Sequence, residues 1–125
     1  MSVLVADDQH FNLHVMSLQL SKINSSWSVT RCTTAEDAVS AAQQSKFQLI
    51  IMDEDFGPDK MTGSKAIQLI RANELNIDSV IVSWTAGELL GPPPGADFIW
   101  SKGANAAKMQ AAINQALASM QKLMP

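Results

Sequence analysis

Two apolar runs in this chain stop abruptly in acid. Phe47 to Asp55 reads FQLIIMDED, with Leu49, Ile50, Ile51 and Met52 unbroken before Asp53, Glu54 and Asp55. Ser2 to Ala6 reads SVLVA and is followed at once by Asp7 and Asp8. An unbroken apolar run of strand length predicts a strand buried on both faces, as in a parallel sheet covered by helices. Carboxylates at the carboxyl end of such a strand stand where open α/β sheets bind their ligands. If the two strands are neighbours, Asp7, Asp8 and Asp53 share one crevice and repel one another unless a hard divalent cation neutralises them. Mg²⁺, held by a few carboxylates, several waters and a phosphate, suits that set.

The remaining elements must bring those acids together. Asn12 to Leu20 carries Leu13, Val15, Met16, Leu18 and Leu20 among polar residues and predicts a helix. Ser25, Ser26 and Ser28 bracket a turn before a short strand around Trp27 to Cys32. Thr34 with Asp37 resembles a capping pair, and it opens an Ala-rich helix to about Ser45. After the acidic strand, Gly57, Pro58, Asp59 and Lys60 mark a loop; Gly63 or Ser64 starts a helix with Ala66, Ile67, Leu69 and Ile70 on one side. A fourth strand, Ser79 to Ser83, runs into Trp84, Thr85, Ala86 and Gly87, and a fifth, Asp97 to Trp100, runs into Ser101, Lys102 and Gly103. Between them Gly91, Pro92, Pro93, Pro94 and Gly95 cannot be helical, so at most one turn fits between Glu88 and Leu90. The last helix is predicted from about Asn105 to Leu123, with Met109, Ile113, Ala116, Leu117, Met120 and Met124 on its apolar face.

Strands alternating with helices imply right-handed crossovers and a three-layer α/β/α sandwich. Of the two strand orders common for five such strands, the flavodoxin-like order 2-1-3-4-5 puts the switch point between strands 1 and 3, where Asp7, Asp8 and Asp53 would meet.

Composition narrows the classes. A chain of 125 residues with 46% hydrophobic residues is the size of one globular domain, here 1–125. A net charge of −3 with scattered Lys and Arg disfavours nucleic-acid binding. Cys32, the sole cysteine, permits no internal disulfide and no thiolate metal cluster, which fits a reducing cytoplasm. No segment approaches membrane-spanning length. His10 and His14 lie four apart with no third ligand and are read as helix-surface residues. Cys32 is read as a small buried hydrophobe.

The acidic pair after strand 1, Met52-Asp53 at the end of strand 3, Thr85-Ala86 after strand 4 and the segment Gly95-Ala96-Asp97 to Ser101-Lys102 at strand 5 occur in order at strand ends. Together they resemble the receiver domain of two-component response regulators over nearly the whole chain. The run DDQHFNLHVM further resembles receivers attached to hybrid histidine kinases. The resemblance implies a phosphoacceptor, with Asp53 taking a phosphoryl group from a sensor histidine kinase or a histidine phosphotransfer protein. It implies Mg²⁺ on Asp8 and Asp53, on Asp7 directly or through water, and on the main-chain carbonyl of Asp55. Thr85 would hydrogen-bond a phosphoryl oxygen, Lys102 would pair with another, and Ala86 would leave room for the group. Such a domain is a signalling module that promotes only its own phosphorylation and dephosphorylation. No output domain follows within the chain, which leaves output through protein contact or a receiver taken from a longer kinase.

Departures from the family pattern carry their own expectations. The loop after Asp53, FGPDKMTG, places Gly63 about two residues later than the family's usual MPxMDG. The usual fourth helix is expected to be absent or reduced to a turn. Ile99 stands where receivers carry a switch aromatic, flanked by Phe98 and Trp100. Gly103 replaces the proline that normally follows the lysine, so a trans or mobile Lys102–Gly103 linkage and a less firmly held Lys102 are expected. These departures favour the alternative of a pseudo-receiver, an interaction module that is not phosphorylated. A flavin carrier would want a phosphate-cradling Ser/Thr/Gly-rich loop after strand 1, where this chain has Asp-Asp.

Overall fold

A computed structural model describes residues 1–87 and 89–122, with side chains for all of these except 121 and 122. Five strands, β1 (Ser2–Ala6), β2 (Ser28–Cys32), β3 (Leu49–Asp53), β4 (Val80–Thr85) and β5 (Phe98–Ser101), form one parallel sheet in the order β2-β1-β3-β4-β5. The flavodoxin-like order expected from the sequence is therefore the one adopted. Helices α1 (His10–Ile23), α2 (Ala35–Gln44), α3 (Gly63–Ala72) and α4 (Ala106–Lys122) cover its two faces.

Alternation along the strands divides the core in two. Leu4, Ala6, Ile50, Met52 and Ile81 pack with the small and branched residues of α2 and α3, among them Ala38, Ala66, Ile67 and Ile70. Val3, Val5, Leu49, Ile51, Val82 and Trp84 face the other way, against Leu13, Met16 and Leu20 of α1 and Met109, Ile113 and Ala116 of α4. A strand apolar on both sides has to sit between two helical layers, which is why β1 and β3 occupy the centre. Cys32 is buried as expected, and burial, with Asp37 nearby, pushes its thiol above the ordinary 9.0.

Local chemistry fixes the helix ends. The hydroxyl of Thr34 accepts from Asp37 N at 3.0 Å, and that of Thr62 accepts from Lys65 N at 3.2 Å, capping α2 and α3. Asn105 Oδ1 does the same for α4, from Lys108 N at 2.9 Å. Helix α1 runs from His10, two residues before the expected start, and Leu18, placed with its apolar residues, is 50% exposed. Strand β4 runs two residues beyond Ser83, so Trp84 and Thr85 belong to the strand. Leu123 and Met124, assigned from sequence to the last helix, lie outside the described residues.

Among the described residues there is no helix between β4 and β5. The connection is tied down from α3 instead. Arg71 donates from Nε to Gly95 O at 2.8 Å and from its two terminal nitrogens to Asn76 O, Ile77 O and Asp97 Oδ2 at 3.0 to 3.1 Å. The planar guanidinium thus joins the end of the proline-rich segment to the 3₁₀ turn at Glu74–Asn76. Leu89 and Leu90, within that segment, are 52% and 87% exposed.

Candidate functional site

Because β1 and β3 are neighbours in register, Ala6 opposite Met52, their carboxyl ends bring Asp7, Asp8 and Asp53 to one edge. Each can offer an oxygen within 4.8 Å of the others. Asp7 is fully buried and Asp53 is 3% exposed, whereas Asp8 is half-buried on the wall of the cleft. From β5, Lys102 reaches back over the sheet edge. Its Nζ lies 2.6 Å from Asp7 Oδ2 and 2.9 Å from Asp53 Oδ1.

The electrostatics follow from that crowding. Burial pushes the Asp53 carboxyl above its ordinary 3.8; the hydrogen bond from Lys102 opposes this and the charge of Asp7 adds to it. For Lys102, burial works to lower the pKa, but the hydrogen bonds to Asp7 and Asp53 outweigh it and the result is raised above 10.5. Lys102 is therefore a firm cation at neutral pH, set between two carboxylates.

A cleft of about 480 Å³ opens onto this group, lined by Asp8, Asn12, Asp53, Asp55, Thr85 and Ala86 among others. The Thr85 hydroxyl accepts from Gly87 N at 3.1 Å, which turns the chain after β4 and keeps the Thr85 side chain at the cleft. The Asp55 carboxylate is exposed and accepts from Gly57 N at 2.9 Å. His10 and His14 are exposed on α1, and neither joins the acidic group.

The lengthened loop after Asp53 still closes on the site. Gly63 N donates to Glu54 O at 2.9 Å, and a Cβ at Gly63 would stand 1.9 Å from Asp53 O. Only glycine lets α3 start this close to the strand end. Ser64 then meets the Glu54 carboxylate through both its N–H (3.0 Å) and its hydroxyl (2.6 Å). Gly57 (φ 113°) and Asp59 (φ 60°) supply the left-handed turns that absorb the extra residues, and Phe56 is buried beneath them.

A model of the response regulator receiver domain family matches residues 3–114. The chain belongs to the response regulator receiver domains. Its receiver fold is similar to that of a CheY-like receiver domain protein from Methanospirillum hungatei (20% identity, TM-score 0.81, 98% of each chain). It is also similar to the receiver domain of the sensor histidine kinase PA1611 from Pseudomonas aeruginosa, solved with magnesium coordinated in its active-site cleft (24% identity, TM-score 0.80, covering 94% of this chain and 97% of that one). A third likeness is to the response regulator TrrA from Thermotoga maritima in complex with Mg²⁺ and BeF (18% identity, TM-score 0.77, covering 92% and 97%). No protein of curated function matches the chain significantly. At these identities the structural likenesses establish the fold. A receiver is a signalling domain of two-component systems, and no described helix here is long and apolar enough to cross a membrane.

One of the departures takes a different form in this receiver than the residue types suggest, and another stands as they suggest. The peptide after Lys102 is trans, yet the lysine is held between two carboxylates, contrary to the expectation of a loosely held side chain. Ser101 takes over the loop: its Oγ accepts from Gly103 N at 3.0 Å, a hydrogen bond that a proline has no N–H to make. Neither aromatic beside Ile99 substitutes for the usual switch residue, because Phe98 and Trp100 pack on the α1 and α4 side. Ile99 faces the other way, with Ser83, Leu90 and Pro93.

Some side chains at the site escape a reading by residue type. Trp84 lies under Lys102, with the ammonium 5.1 Å from its ring centroid. The signal was present, since β alternation sets Trp84 on the face opposite Thr85, but nothing in the sequence says that Lys102 arrives there. Glu54 and Ser64 are ten residues apart and only the loop closure joins them.

Proposed function

We propose that this receiver domain, read as a single unit over residues 1–125, accepts a phosphoryl group on Asp53 from a phosphohistidine donor. The donor would be a sensor histidine kinase or a histidine phosphotransfer protein, acting in the cytoplasm. The observation that carries this reading is the Lys102 ammonium set against Asp53 and Asp7 at the mouth of the cleft. A carboxylate is a weak nucleophile, so reaction depends on positioning and on neutralising the charge that gathers at phosphorus. In the step, an Asp53 oxygen bonds to phosphorus while the P–N bond breaks and its electron pair stays on the imidazole. Lys102 then passes from the carboxylate to a phosphoryl oxygen, and Thr85, whose hydroxyl accepts from Gly87 N, donates a hydrogen bond from that hydroxyl to another.

Asp7, Asp8 and Asp53 also fit a hard cation: all offer oxygen, and their atoms converge within 4.8 Å of one another. Mg²⁺ would be held by Asp8 and Asp53, by Asp7 directly or through water, and by the Asp55 carbonyl, and when bound it would offset phosphoryl charge. Two relatives were solved with magnesium, which supports this choice of ion. Apart from promoting its own phosphorylation and dephosphorylation, the domain would act by protein contact.

The second reading, a pseudo-receiver that binds partners without phosphorylation, draws on Ile99 and on the helix-free connection between β4 and β5 among the described residues. Intact mass after acetyl phosphate treatment, with Mg²⁺ and with chelator, separates the two. Phosphorylation predicts a Mg²⁺-dependent, base-labile adduct that is lost in Asp53→Asn and reduced at least tenfold in Lys102→Ala. An adduct undiminished in Asp53→Asn would remove that residue as acceptor, and no adduct in the folded wild type would favour the pseudo-receiver.

A further inference from the structure

Trp84 is 3% exposed and lies beside Trp100 across the β4 and β5 register, on the α1 and α4 side of the sheet. Its indole Nε1 is buried with no hydrogen-bond partner among the described residues. An N–H left unpaired in a core carries a penalty that an aliphatic side chain avoids. On the same face of β4, Val80 and Val82 fill their places without it. What an indole supplies and a valine does not is an electron-rich ring face, and the Lys102 ammonium sits 5.1 Å from the centre of that face. This lies inside the range of cation–π attraction, for which indole is the best of the aromatic rings.

The ammonium is bonded to Asp7 and Asp53, and the ring face is a further contact on it. Gly103 follows the lysine, and the Ser101 hydroxyl holds Gly103 N, beyond the side chain that must be aimed. A void of about 70 Å³ bordered by Met16, Gln19, Ala104 and Met109 lies against both Trp84 and Lys102. Close aliphatic packing therefore does not confine the lysine stem on that side.

We propose that Trp84 is a positioning residue for Lys102, its ring face holding the ammonium beside Asp53 so that the cation is already in place when a phosphoryl group arrives. The role in phosphoryl binding rests on the function proposed above; the positioning itself does not. A lysine held this way loses less freedom on engaging the anion, so the ring contributes to anion affinity without touching the anion.

Two measurements test it together. The first is NMR of the Lys102 ammonium and its Cε protons in the wild type, Trp84→Phe and Trp84→Leu. The second is beryllofluoride affinity at saturating Mg²⁺, with the affinity for Mg²⁺ alone as reference. In the wild type the Cε protons should be displaced upfield by the ring current, a displacement largely kept in Trp84→Phe and lost in Trp84→Leu. Beryllofluoride affinity should fall about tenfold in Trp84→Leu and within threefold in Trp84→Phe, with Mg²⁺ affinity within threefold throughout. Absence of the displacement in the wild type would overturn the proposal even if Trp84→Leu failed to fold. Equal losses in the two variants, or no loss in Trp84→Leu, would also overturn it. A wild type that shows the ring-current displacement but binds no beryllofluoride would defeat the phosphoacceptor reading and leave the positioning of Lys102 standing.

Discussion

Asp53 is 3% exposed and its carboxyl is pushed upward by burial and by Asp7, even with Lys102 at 2.9 Å. A raised native pKa means that, between the unfolded value and the native one, the folded state holds more protons than the unfolded chain. Stability contributed by this group therefore falls as pH rises through that window, and the ionised side chain is a burden on the fold at neutral pH. Asp53→Asn removes the charge and keeps the shape. Measured in chelator, it should raise Tm by about 2–5 °C at pH 7, which for a chain of this size reflects about 1 kcal/mol. The gain should shrink toward pH 4, where the wild-type carboxyl takes up its proton. A lower Tm in the variant at pH 7 would mean that the Lys102 pair outweighs burial. The raised pKa of Lys102 gives a pH dependence of the same sign in a far more alkaline window: its contribution stabilises the fold at neutral pH, is fully present below pH 10.5 and is lost only as pH climbs through the native value.

The elements show how the site tolerates departures from the usual receiver pattern. The loop after β3 is longer than the family's, but its end is fixed because α3 begins on the Asp53 carbonyl. Gly63→Ala would drive a Cβ to 1.9 Å from that oxygen, against backbone that cannot yield without moving the acceptor. The expected loss is about 3 kcal/mol in chemical denaturation, with weakened Mg²⁺ binding beside it. Unchanged stability would show that the loop is free to withdraw. On the other side of the site, a receiver normally uses a helix between β4 and β5; among the described residues there is none here. Arg71 of α3 holds the end of the connection through Gly95 O and Asp97 Oδ2 while it also binds Asn76 O and Ile77 O ahead of β4. Leu90, within the connection, is 87% exposed.

At the scale of the whole molecule, a net charge of −3 is unevenly spread, since three of the acids converge at one end of the sheet. A cation that binds the folded cluster and not the unfolded chain stabilises by mass action, about 1.4 kcal/mol at ten times its Kd. Thermal unfolding should therefore shift upward by about 4 °C with Mg²⁺ at that concentration, return with chelator, and respond little in Asp8→Asn. Asp8 is the suitable variant because it lines the cleft without the Lys102 contacts of Asp7 and Asp53. An equal shift in Asp8→Asn would place the ion elsewhere.

The layers and strand order follow from local pattern. Unbroken apolar runs in β1 and β3 have to lie between helices, and the helices that follow β1, β2 and β3 return the chain for parallel pairing. Hence Asp7, Asp8 and Asp53 were legible as one group, and the acidic pair, Met52-Asp53, Thr85-Ala86 and Lys102 were legible as a receiver's set. What escaped are contacts between residues distant in sequence whose types are unremarkable on their own. Trp84 under Lys102, Arg71 on the β4 to β5 connection, Gly63 on the Asp53 carbonyl and the two carboxylates that grip Lys102 depend on how far each loop carries the chain back over the sheet. Burial periodicity records which face a residue presents, and it places the site. It does not record which side chain from another element arrives opposite, and that alone decides how firmly the lysine is held.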